Sequence, residues 1–110
     1  MQNFFITGAS GFIGNCLIKA INGNITVLSR VKNSDFETVI CDLQSDTIPD
    51  DALNDVDTVY HLAGFAHDIR DASKISDLYY KVNVSATVQL ANLAVKSGVK
   101  RFVFVSSVKA

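Results

Sequence analysis

Residues 6–14, Ile6-Thr7-Gly8-Ala9-Ser10-Gly11-Phe12-Ile13-Gly14 (ITGASGFIG), place three glycines three residues apart between an apolar run and a helical pattern. Upstream, Asn3-Phe4-Phe5-Ile6 is rich in aromatic and branched side chains and predicts a buried strand. Downstream, Phe12, Ile13, Cys16, Leu17, Ala20 and Ile21 recur near the helical period, so a helix is expected to start inside the glycine motif and stop at Asn22-Gly23-Asn24. Each glycine has a physical use at such a junction. Gly8 takes backbone angles that a side chain hinders, Gly11 lets a pyrophosphate approach the main chain, and Gly14 lets the helix pack near the strand. The helix N-terminus adds unpaired N–H donors and the positive end of its dipole. A strand before and a helix after favour a phosphate-gripping loop over a plain structural turn.

The rest of the chain alternates in the same way. Further strands are expected at Asn24–Ser29 (NITVLS), Glu37–Cys41 (ETVIC), Val56–Leu62 (VDTVYHL) and Arg101–Val105 (RFVFV). A weak helical signal covers Asp51–Leu53, and Ala66–Asp77 reads as a polar, loop-like segment. A long helix is expected over Leu78–Ser97, with Val82, Val84, Val88, Leu90, Leu93, Ala94 and Val95 as its apolar positions and Gly98 as its stop. Continuously apolar strands alternating with helices predict an α/β fold: a doubly wound parallel sheet of about five strands. Right-handed crossovers give the spatial order 3-2-1-4-5. In such a sheet ligands bind at the carboxyl ends of the strands, beside the switch between the first and the fourth.

Length and composition narrow the function classes. A chain of 110 residues fits one domain, and 48% apolar residues are enough to bury a core. A net charge of -1 supplies no field for nucleic acid or an anionic membrane, so neither is expected as a partner. No apolar run approaches the roughly 20 residues that span a bilayer, and the N-terminus lacks the pattern of a secretory signal. The expectation is a soluble, cytoplasmic protein. Cys16 and Cys41 lie outside any metal-ligand or redox spacing, no metal is expected, and both cysteines read as reduced, buried small hydrophobes.

The loop Thr7–Gly14 resembles that of the extended short-chain dehydrogenase/reductase family, the nucleotide-sugar epimerases and dehydratases, which reads T-G-x-x-G-F-I-G. A P-loop is the rival phosphate binder, but no G-K-[ST] follows. The resemblance implies a Rossmann fold in which Gly8, Ser10, Gly11, Phe12, Ile13 and Gly14 hold a dinucleotide. The second strand ends Val27-Leu28-Ser29-Arg30 without the carboxylate that accepts the ribose hydroxyls of NAD. Arg30 could instead pair with a 2′-phosphate and Ser29 could donate to it, which favours NADP over NAD. A solvated Arg30, or one stacked on adenine, is compatible with either. Asp42-Leu43 resembles the family's D-L pair, whose aspartate binds the adenine amino group; without the resemblance Asp42 reads as a turn residue.

Three further segments carry the resemblance. His61-Leu62-Ala63-Gly64 is similar to the family's H-L-A-A/G, in which Leu62, Ala63 and Gly64 let the cofactor lie against the backbone. His61 reads as a packed core group rather than a catalyst, and His67 as a solvated loop residue near the family's substrate site. The run Lys81–Thr87 resembles V-N-x-x-G-T, with Asn83 supporting the cofactor-side loop and Ala86 where glycine is usual. Phe102–Ser107 resembles the strand ending in S-S: Ser106 falls beside the cofactor, and Ser107 on the serine that bonds the reacting oxygen. From spacing alone the two serines read as a turn or helix cap. The tail Ser107-Val108-Lys109-Ala110 is close to a variant found in bacterial epimerases and 4-keto-sugar reductases.

The family's acid/base is a tyrosine with a lysine four residues on, and Tyr79-Tyr80-Lys81 has the wrong spacing for it. The expectation is therefore that residues 1–110 are the N-terminal NAD(P)-binding part of a longer enzyme, truncated before the rest of the Rossmann domain and a substrate domain, and inactive alone. The parent is expected to bind a nucleotide-activated sugar and to transfer hydride at a sugar carbon as an epimerase or dehydratase. An NADP-dependent 4-keto-sugar reductase and a non-catalytic dinucleotide sensor are the alternatives. A homodimer through Leu78–Ser97, as in the family, and self-association through an apolar sheet edge are also expected.

Overall fold

The computed structural model describes residues 2–8, 12–42, 47–62 and 72–104, the side chains of 12, 13 and 72–83 excepted. The elements run β1 (Asn3–Thr7), α1 (Phe12–Ala20), β2 (Asn24–Ser29), β3 (Glu37–Ile40), β4 (Thr58–His61), α2 (Ala72–Ser97) and β5 (Arg101–Phe104). The strands form one sheet in the order β3-β2-β1-β4-β5, every neighbour parallel. This is the expected order, with the switch between β2 on one side of β1 and β4 on the other.

Two apolar layers sandwich the sheet, and the two-residue period of a strand sorts side chains between them. Phe5, Leu28 and Val59 pack on one face with Leu90, Leu93 and Ala94 of α2. Ile6 and Val27 pack on the other with Leu62 and with Leu17 and Ile18 of α1. Phe5, Ile6 and Val59 have no solvent exposure, which makes β1 and β4 the spine of the core. Each such side chain contributes about 1.5–3 kcal/mol from burial.

The helix ends follow local chemistry. α2 runs to Ser97 because Gly98 adopts a left-handed φ of +77°. There the Val99 amide donates to the Ala94 carbonyl at 3.0 Å and the Gly98 amide to Val95 at 3.3 Å, the paired bonds of a Schellman stop. α2 begins at Ala72, so the end of the segment read as a loop is helical. The run ASKISD (72–77) is too polar to show a period, yet no glycine or proline interrupts residues 65–97. The weak signal at Asp51–Leu53 is instead a chain of tight turns, with Ala52 donating to Pro49, Asn54 to Asp51 and Val56 to Leu53. β3 and β4 are shorter than expected, and Val105 lies outside the described residues.

Cys41 is buried as expected, but Cys16 is exposed. The apolar period of α1 contains two interleaved sets. Gly14, Leu17, Ile18 and Ile21 turn toward the sheet at spacings of three and four, while Cys16 and Ala20 fall on the opposite side. Among the described residues no helix is long and apolar enough to cross a membrane.

Candidate functional site

β1 is buried on both faces, so its chain has to turn where the sheet ends, and it does so at Gly8 with φ +73°. Just before the turn, the Leu62 amide donates to the Thr7 carbonyl at 3.1 Å. The carboxyl ends of β1 and β4 are thereby tied together. A Cβ on Gly8 would collide with the Leu62 carbonyl, lying 2.8 Å from its carbon. Glycine is thus required here by both the backbone angle and the close approach. α1 starts at Phe12, has no acidic residue in its first turn and buries Gly14. The positive end of its dipole therefore carries no carboxylate of its own there, which fits an anion.

Beside this turn lies His61, whose side chain is wholly buried on the α2 side of the sheet. It sits opposite Thr7 in the β1–β4 register, and its Nδ1 is 2.6 Å from the Thr7 hydroxyl. Its Nε2 is 2.9 Å from the hydroxyl of Thr87 on α2. Phe104 of β5 stacks on the ring at a centroid distance of 5.4 Å, and Phe102 lies tilted at 6.2 Å. Burial lowers the His61 pKa from 6.5 to about 4, so the imidazole is neutral at pH 7. A neutral ring has one donor and one acceptor, and the two threonine hydroxyls match either tautomer. His61 is therefore a packed core group, as its sequence context implies.

The ends of β2 and β3 lie on the other side of β1 in the sheet. The Ser29 carbonyl accepts the Cys41 amide at 2.9 Å, which brings half-buried Asp42 alongside the end of β2. Ser29 is half-buried, with its hydroxyl 3.4 Å from the Val31 amide, and Arg30 is exposed. Leu62 is buried among Ile6 and Val27, so its side chain serves the core while its backbone meets the Gly8 turn. Gly8, Ser29, Arg30, Asp42 and Leu62 thus fall at or next to the carboxyl ends of β1 to β4, and Gly14 lies in the first turn of α1. Phe12, Ile13 and Asn83 are placed by backbone only. Ser10, Gly11, Leu43, Ala63, Gly64, Ser106 and Ser107 lie outside the described residues, as does His67. Thr7 and Thr87 are the threonines of the T-G-x-x-G-F-I-G and V-N-x-x-G-T resemblances, but the sequence assigned neither a role, and their link through His61 appears only in the fold.

The profile of the NAD dependent epimerase/dehydratase family matches residues 4–110. The chain belongs to that family. A UDP-glucose 4-epimerase of Vibrio cholerae is 36% identical over 119 residues, covering 98% of this chain and 35% of the relative. The N-acetyl-alpha-D-glucosaminyl-diphospho-ditrans,octacis-undecaprenol 4-epimerase of Escherichia coli O157:H7 is 36% identical over 111 residues, covering 97% and 33%. Among solved structures, MoeE5 in complex with UDP-glucuronic acid and NAD superposes with a TM-score of 0.79 at 31% identity, covering 96% of this chain and 37% of that one. The chain thus spans about a third of the length of these epimerase/dehydratase relatives.

Proposed function

We propose that residues 1–110 form the NAD(P)-binding part of an enzyme that transfers hydride at a carbon of a nucleotide-activated sugar, as an epimerase or dehydratase. The carrying observation is the Gly8 turn: a left-handed glycine pressed on the Leu62 backbone, between the ends of β1 and β4 and just ahead of α1. That cradle leaves main-chain amides and a helix dipole for a pyrophosphate. In this reading Gly8, Ser10, Gly11, Phe12, Ile13 and Gly14 hold the pyrophosphate, Asp42 and Leu43 the adenine, and Leu62, Ala63, Gly64, Asn83 and Ser106 the nicotinamide side. Ser107 contacts the reacting oxygen. The nicotinamide, when bound, supplies hydride acceptance and return; the chain's own residues bind and orient it. Titration of the chain with NAD and NADP by calorimetry tests the reading. Binding of either with one-to-one stoichiometry supports it, and no heat from a folded chain refutes it.

A second reading, an NADPH-dependent 4-keto-sugar reductase, is favoured by exposed Arg30 at the end of β2. The sequence there carries no carboxylate to repel a 2′-phosphate. In that case NADP binds more tightly than NAD, and Arg30→Ala removes the difference. Equal affinities in the unmodified chain return the assignment to the first reading.

A further inference from the structure

The carboxyl ends of β1 and β4 are joined twice, once through backbone and once through a side chain. The backbone link is the Leu62 amide on the Thr7 carbonyl at 3.1 Å. The side-chain link is the Thr7 hydroxyl on His61 Nδ1 at 2.6 Å, and the same ring goes on to Thr87 of α2 at 2.9 Å. Thr7 immediately precedes Gly8, so whatever holds Thr7 also sets where the turn begins.

We propose that His61 is a positioning residue for the nucleotide crevice, its ring coupling α2, through Thr87, to the Gly8 turn, through Thr7. The inference rests on the dinucleotide-binding reading of that turn. Three features of the site support it. The imidazole and Thr7 are both buried, so the bond between them is costly to leave unmade, while half-buried Thr87 holds the ring's other nitrogen. Phe104 and Phe102 bound the ring from β5, which limits its rotation. A neutral imidazole bonds both hydroxyls only as one donor and one acceptor, so the proton order runs in one direction through the three groups. Breaking the link at Thr87 therefore leaves the bond at Thr7 with a ring oriented only by its aromatic neighbours.

The test compares Thr7→Val, Thr87→Val and the double variant in the full 110-residue chain, with Thr87→Ser as the conservative control. His61→Asn, whose amide can stand in for Nδ1 but does not reach Thr87, is a second route to the same break. The first readout is hydrogen exchange of the Leu62 amide by NMR, relative to the Asp57 amide, which donates to Asn3 at 2.9 Å at the opposite end of the same two strands. Coupling predicts that Leu62 exchange accelerates about tenfold relative to Asp57 in Thr87→Val and in His61→Asn, that the double variant adds little to either single one, and that Thr87→Ser restores protection. A merely structural role would speed both amides alike, and that result overturns the proposal. The second readout is the Kd for NAD and NADP, expected to rise about threefold to tenfold in the same variants. Unchanged affinity in variants with selectively weakened Leu62 protection would also overturn it. If the unmodified chain binds neither cofactor, the dinucleotide reading itself fails, and the exchange data still decide whether α2 and the turn are coupled.

Discussion

Asp57 and Asn3 clasp each other at the amino-terminal edge of the sheet. The Asn3 amide donates to Asp57 Oδ2 at 2.8 Å, and the Asp57 amide donates back to the Asn3 carbonyl at 2.9 Å. The Asp57 carbonyl also accepts the Lys100 and Arg101 amides at 2.9 and 3.1 Å, so one residue aligns the starts of β1, β4 and β5. Asp57→Ala is expected to lower stability by about 1–3 kcal/mol, because a half-buried amide loses a charged acceptor. The Lys100 ammonium is 80% exposed and 3.9 Å from the carboxylate, so Lys100→Ala should lie within about 0.5 kcal/mol of the unmodified chain. Urea unfolding of the two variants checks both values.

Gly8→Ala and Gly98→Ala should separate backbone angle from crowding. Both positions have positive φ, but a Cβ at Gly98 meets nothing within 4 Å, whereas one at Gly8 strikes the Leu62 carbonyl. Gly98→Ala is expected to cost about 1–2 kcal/mol. Gly8→Ala should cost more than that and displace the turn, lowering Tm further and, on the proposed dinucleotide-binding reading, weakening NAD(P) binding as well. Equal losses at the two sites would contradict the close approach.

Accessibility distinguishes the two thiols. Cys16 is exposed and Cys41 is 2% exposed. A thiol reagent added to the native chain should modify Cys16 promptly and Cys41 only on unfolding, with intact-mass measurement counting one adduct and then two.

His61 makes stability depend on pH in a defined direction. Its pKa falls from 6.5 to about 4 on burial, so between those values the unfolded chain binds the extra proton and the folded chain does not. The contribution is fully present above pH 6.5 and is lost as pH falls toward 4, to a total of about 3 kcal/mol. Urea midpoints across this window should drop less in His61→Asn than in the unmodified chain. Parallel pH profiles would show that the imidazole titrates the same way in both states.

The helix-strand alternation and the sheet order were legible because each strand of a buried parallel sheet must be apolar throughout, and because crossovers have one hand. Gly98 as a stop and the glycine turn at Gly8 were likewise written locally, since only glycine takes those angles cheaply. The proposed dinucleotide site was read from the strand carboxyl ends at the switch between β1 and β4, and the sheet order puts that switch where the sequence implied. What the sequence could not say is which of two interleaved apolar sets on α1 meets the sheet, and Cys16 consequently falls outside. Nor could it pair Thr87 with a ring 26 positions earlier. Those facts depend on how a helix is rotated against the sheet, which is decided by packing across the whole layer rather than by any local preference. Sequence alone determined the strands, their order and the glycine turn; the bridge from Thr7 through His61 to α2 exists only once the layers have closed and water has been excluded from the ring.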